Sequence, residues 1–114
     1  MAYAQGMVPG GNLMLQNINI DGEIYDLYQD ARSDGTANWT FYTFKSRNNH
    51  LNTASIDFGH IINYLVQNSY ITDSLSDLTL ADVEFGNEVM SGRVRTVISN
   101  YSVKLGNQTV CHLP

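Results

Sequence analysis

The chain has 114 residues, a formal net charge of −5, 43% hydrophobic residues and only 15% charged ones. That length holds one domain or part of one, and the hydrophobic share supports a packed core over disorder. The six basic residues are spread thinly, no apolar run nears the roughly 20 residues that span a bilayer, and Met1–Gly6 lacks the basic start and apolar stretch of a signal peptide. Neither a nucleic acid nor a membrane is therefore expected as a partner. With one cysteine, Cys111, an internal disulfide is impossible.

In chain order, Gly6-Met7-Val8-Pro9-Gly10-Gly11 reads as a loop. Leu13 to Ile20 is β-like, and Asp21-Gly22 is a hairpin signal because both residues tolerate positive φ. Glu23 to Tyr28 returns, with Ile24, Asp26 and Tyr28 on one face and Tyr25 and Leu27 on the other. Gln29 to Ala37 is expected to be a turn or loop. Asn38 to Lys45 forms a third strand with aromatics on both faces, which implies burial on each side or a groove on one.

Asp57 to Asn68 is the one helix. Phe58, Ile61, Ile62, Leu65 and Val66 fall at i, i+3, i+4, i+7 and i+8, a single apolar stripe. Ser55 is the expected N-cap, with Asp57 in the first turn. At 1.5 Å per residue the helix is about 18 Å long and packs on the outside of a sheet. Leu78 to Met90 and Arg93 to Leu105 are further strand candidates, and Gly106 to Pro114 reads as a frayed tail. There is no repeat or linker, so residues 1–114 are expected to form one unit. Short strands, turns and a lone helix point to an all-β antiparallel sandwich.

Three glutamates are present: Glu23, Glu84 and Glu88. On an unbroken strand Glu84 and Glu88 point the same way, with Cα atoms roughly 13 Å apart. Retaining glycosidases need carboxyl groups about 5–5.5 Å apart, so this pair alone makes no such site. On spacing alone, a solvated strand residue is the better reading of Glu88. His50, His60 and His112 show no metal-ligand spacing, and no metal or cofactor is expected. His60 lies off the apolar stripe and reads as solvated. No G-x-S-x-G or phosphate-binding loop occurs. The third-strand aromatics suit sugar stacking, although core packing is the commoner role. Three N-x-S/T tripeptides, starting at Asn38, Asn100 and Asn107, are weak evidence for secretion.

Three motifs recur in order. They are Asp57-Phe58-Gly59-His60-Ile61-Ile62-Asn63-Tyr64-Leu65, Phe85-Gly86-Asn87-Glu88-Val89-Met90-Ser91-Gly92 and Ile98-Ser99-Asn100-Tyr101-Ser102-Val103. Together they resemble the C-terminal half of glycoside hydrolase family 12, the β-jelly-roll endoglucanases and xyloglucanases. Upstream, Ile18 to Gly22 with Tyr25 to Tyr28 looks like the family's hairpin, and Phe41-Tyr42-Thr43-Phe44 like its V-Y-S-F strand. The resemblance implies an incomplete jelly roll, an extracellular setting and retaining cleavage of β-1,4-glucan. It puts Glu88 in the general acid/base position and Asn87, Met90 and Tyr42 at substrate-binding positions.

The departures are specific. Asn87 stands where the family has Thr, and Val89-Met90 replaces its Pro-aromatic pair. The family's nucleophile lies in an E-x-M-x-W strand, and that motif does not occur in these 114 residues. The resemblance therefore implies a C-terminal portion that lacks the nucleophile, is inert alone, and is complemented by a missing N-terminal half. Two alternatives stand beside it: a non-catalytic carbohydrate-binding or decoy protein on the same fold, and a fragment similar to the family 11 xylanases. A partial sandwich would also leave apolar strand faces uncovered, which predicts self-association.

Overall fold

The computed structural model describes residues 7–48, 55–84, 86, 92–93 and 95–113. The described elements are antiparallel strands with one α-helix, as the sequence pattern requires. The chain divides into two compact units, Met1–Leu78 and Thr79–Pro114.

The first unit is a three-stranded antiparallel sheet in the order β1-β2-β3: β1 Asn12–Ile20, β2 Glu23–Ser33 and β3 Asn38–Ser46. β1 and β2 join through Asp21-Gly22, both at positive φ, and the Asn19 side-chain oxygen accepts the Gly22 N–H at 2.9 Å. A two-residue turn of this kind matches the twist of its flanking strands. β1 slips register between Leu13 and Leu15 and again between Leu15 and Ile18. In the second slip Asn17 has φ 59°, and its N–H turns to Asp26 Oδ1 at 3.2 Å. Gly11 leads into β1 at φ +89°, and a Cβ there would lie 2.3 Å from the Gln29 carbonyl oxygen. Only glycine allows that approach.

β2 runs past its expected end at Tyr28. Its pairing with β3 is unbroken from Tyr25↔Ser46 to Ser33↔Asn38. Each added pair satisfies backbone groups that a loop would leave to water, so the ladder overrides the polar composition of Gln29 to Ser33. The loop shrinks to Asp34–Ala37. There Asp34 Oδ1 accepts the Thr36 N–H at 2.8 Å, the Thr36 hydroxyl at 2.7 Å and the Ala37 N–H at 2.8 Å. These bonds, the Thr36 hydroxyl first, hold the Asp34 carboxyl down at about 2.

The helix α1 spans Phe58–Gln67. Its N-cap is Asp57 rather than Ser55, with a carboxylate oxygen accepting the His60 N–H at 3.2 Å. Asn68 closes it: its backbone N–H and its side-chain amide both donate to the Tyr64 carbonyl. Leu65 is buried in a cluster with Ile18, Ile20, Tyr25, Leu27 and Phe44, and Ile61 and Tyr64 pack against that cluster. Phe44 meets the Tyr25 and Tyr64 rings edge-on, with centroids 5.8 and 6.1 Å apart. The helix therefore covers the sheet face that carries Tyr25, Leu27 and Phe44. The stripe departs from expectation at its start, where Phe58 remains 49% exposed. A short 3-10 turn, Leu75–Asp77, ends this unit's described structure.

In the second unit, β4 Tyr101–Leu105 and β5 Gln108–Leu113 form an antiparallel hairpin. Two expectations change here. Leu78 to Glu84 is not strand, and of the strand expected from Arg93 to Leu105 the described residues form strand only at Tyr101–Leu105. The remainder of the Leu78–Met90 candidate, apart from Gly86, lies outside the described residues. The tail is a paired strand and not frayed. Gly106, at φ 59°, turns the chain in two residues, and Thr109 and Val110 supply β-branched side chains.

Leu27 has no exposed surface and sits at the centre of the first unit's core. Leu27→Ala is expected to lose about 2–5 kcal/mol of stability, the usual cost of a Leu-sized cavity. Urea unfolding followed by far-UV circular dichroism measures it.

Candidate functional site

Because α1 covers one face of the sheet, the other face is where the first unit has room to act. β2 places Asp26, Tyr28, Asp30 and Arg32 on it, and β3 places Lys45, Thr43, Phe41 and Trp39 opposite them in turn. This face changes character along its length. Near the β1–β2 turn, Asp26, Tyr28 and Thr43 are buried. Asp26 Oδ1 there takes Arg47 Nε at 3.0 Å and Arg47 Nη2 at 2.9 Å. Lys45 Nζ donates to the Met7 carbonyl at 3.0 Å, which fastens the segment ahead of β1.

Toward the β2–β3 turn the face opens. Trp39 is 46% and Phe41 41% exposed, two positions apart on one side of β3. At strand rise that spacing is about 7 Å. Arg32 Nε donates to Asp30 Oδ2 at 2.6 Å, and the guanidinium carbon lies 5.1 Å from the Phe41 ring centroid. The carboxylate and the ring thus hold the guanidinium plane in place. A shallow groove of about 330 Å³ runs between Ala31, Arg32, Ser33, Asn38, Trp39 and Thr40. Of these, Arg32 and Trp39 stand on the open face, while Ala31, Ser33, Asn38 and Thr40 have the opposite parity. On the open face a flat aromatic surface lies beside a fixed guanidinium and carboxylate, a mix that suits a neutral, hydroxyl-rich ligand.

The second unit has its own groove, about 510 Å³, lined mainly by apolar side chains including Leu80, Val83, Ile98, Val103 and Val110. Asp82 is its one acidic group. It offers little to orient a polar substrate. Among the described residues no cluster of His, Cys, Asp and Glu has the makings of a metal site, and no helix is long and apolar enough to cross a membrane.

The residues singled out from the sequence fall in two places. Glu88, Asn87 and Met90 lie outside the described residues. Tyr42 lies on the helix-covered side of β3, half-buried, where its hydroxyl donates to the Tyr70 carbonyl at 2.7 Å. Its ring meets Tyr70 edge-on at 6.2 Å, and burial, followed by the neighbouring Tyr70, raises its phenol above 10.0. The structure engages this hydroxyl in anchoring the segment after α1. Arg32 and Asp30 were not among the sequence candidates, because their stretch reads as a loop. The signal that finds them is strand pairing: once β2 extends to Ser33, Arg32 pairs with Trp39 and Asp30 with Phe41.

Tyr42→Phe is expected to cost about 1 kcal/mol, the worth of one hydrogen bond whose carbonyl partner is left unpaired. Urea unfolding of the variant beside the native protein measures the loss, and an unchanged midpoint would contradict the anchoring role of the Tyr42 hydroxyl. No family model, curated protein or solved structure matches this chain.

Proposed function

We propose that this protein engages β-1,4-linked glucan chains, laying the sugar against the open aromatic end of its three-stranded sheet. The observation that carries the reading is the pairing of exposed Trp39 and Phe41 on one side of β3, flanked on that face by the Arg32–Asp30 pair. Pyranose rings present flat C–H faces and equatorial hydroxyls, and aromatic rings beside fixed polar groups meet both. The net charge of −5 suits a neutral polysaccharide better than an anionic one.

Supported by the motif order around Glu88, the proposal extends to chemistry: a glycoside hydrolase family 12-like protein, extracellular, with Glu88 as general acid/base. In such a reaction protonated Glu88 gives its proton to the glycosidic oxygen as that bond to the anomeric carbon breaks. A second carboxylate takes the anomeric carbon as an ester. Glu88 then removes a proton from water, whose oxygen attacks the anomeric carbon and releases the ester. By motif the second carboxylate has no counterpart in these 114 residues. The absent E-x-M-x-W strand favours a second reading: binding without cleavage by this chain alone, the same surface serving as a carbohydrate-binding module.

Trp39 is the only tryptophan, so intrinsic fluorescence reports on the proposed surface directly. Cellohexaose should shift and saturate the emission at or below millimolar concentration, and an α-linked glucan should not. Trp39→Ala should weaken binding on the order of tenfold or more, as expected when about 1.5 kcal/mol of covered aromatic surface is removed. Absence of cellohexaose binding at millimolar concentration would reject the proposal. A reducing-end assay on xyloglucan and β-glucan decides between the two readings. Turnover abolished by Glu88→Gln would show that a second acid is supplied after all, and no turnover leaves binding alone.

A further inference from the structure

Apolar contacts through Ile61, Tyr64 and Leu65 hold α1 to the sheet, but its N-terminus is attached by charge. The His60 side chain reaches across to the β1–β2 turn, where Nδ1 lies 2.7 Å from Asp21 Oδ2 and 2.9 Å from Asp21 Oδ1. The other ring nitrogen, Nε2, lies 3.8 Å from Asp57 Oδ2. One imidazole thus stands between a carboxylate of the hairpin and the carboxylate that caps the helix.

The two protonation states of such a ring are not equivalent. A neutral imidazole carries one N–H. It can donate to Asp21, but it then turns a lone pair toward Asp57. An imidazolium donates to Asp21 and attracts Asp57 at the same time. We infer that Asp21, His60 and Asp57 form an acid-strengthened clasp that fastens the β1–β2 turn to the first turn of α1. The clasp joins segments 39 residues apart in the chain, both outside the apolar cluster.

Among the described residues, the charges facing His60 are Asp21 from the hairpin and Asp57 from its own helix. Glu23, next along the hairpin, bonds the Ser46 hydroxyl and the Asn48 side-chain amide. The positive end of the helix dipole opposes a cation in the first turn. Two carboxylates at that end outweigh it: the Asp21 hydrogen bond first, then the Asp21 charge, then that of Asp57, raise His60 above its ordinary 6.5. Because the folded value is the raised one, the clasp's contribution is complete below 6.5 and is lost as pH climbs through the folded value. All three groups are exposed, so salt weakens the clasp. The clasp stands whatever ligand the opposite face of the sheet takes.

Proton NMR titration of the three histidines tests it, with His60 assigned from its contacts to Asp21 in the native protein. His60 should titrate above 6.5, and Asp21→Asn or molar salt should bring it back down. Urea midpoints of the native protein and His60→Gln should differ in acid and converge in alkali. A native His60 that titrates at or below 6.5 would overturn the clasp, even if no variant folds. So would a titration that Asp21→Asn leaves unchanged.

Discussion

Leu27 is the point at which the first unit is held together. It lies in the central strand, has no exposed surface, and shares one cluster with Ile18 and Ile20 of β1, Phe44 of β3 and Leu65 of α1. A three-stranded sheet is near the minimum that stands in water, and it does so here because one face has a helix to cover it. That covering decides where function can reside. With α1 on the Leu27 side, the side chains of alternate parity are left to build whatever the sheet presents to its surroundings.

The exposed parity is not uniform, and its gradient has a physical source. At the β1–β2 end a buried carboxylate, Asp26, is neutralised by Arg47 and by a bulge N–H, so that end is closed with its polar groups satisfied. At the other end β1 no longer flanks β2, since its first paired residue, Asn12, meets Gln29. Beyond that point β2 and β3 form a two-stranded ribbon. Among the described residues its aromatics, Trp39 and Phe41, have no third strand beside them, and the Arg32 guanidinium rests on Phe41. An aromatic pair held rigidly by nine continuous strand pairs is preorganised for a flat ligand in a way that loop residues are not.

Much of this was legible in the residues. Asp21-Gly22 announced its hairpin through positive-φ tolerance, the i, i+3, i+4 stripe announced the helix, and the parity of Tyr25 and Leu27 against Asp26 and Tyr28 correctly separated the two faces of β2. What was not legible had several causes, some of them partners distant in the chain and some local signals that were passed over. Gln29 to Ser33 has loop composition and becomes strand because β3 supplies a ladder. Gln108 to Leu113 becomes strand because Gly106-Asn107 returns it onto β4, a two-residue turn signal as local as Asp21-Gly22. Asp57 displaces Ser55 as the cap because its carboxylate meets the His60 N–H. His60 looked like a solvated helix residue, and it is exposed; its bond to Asp21 spans 39 positions, a separation that periodicity does not see.

The central claim is that the sheet face opposite α1, at its β2–β3 end, is the surface that meets a glucan chain. Mapping amide and indole N–H shifts in a heteronuclear NMR titration with cellohexaose tests this most directly. The account predicts saturable shifts concentrated at Asp30 to Ser33, Asn38 to Phe41 and the Trp39 indole, with α1 unaffected. Shifts confined to the helix or to the β4–β5 hairpin, or none with saturating sugar, would contradict it.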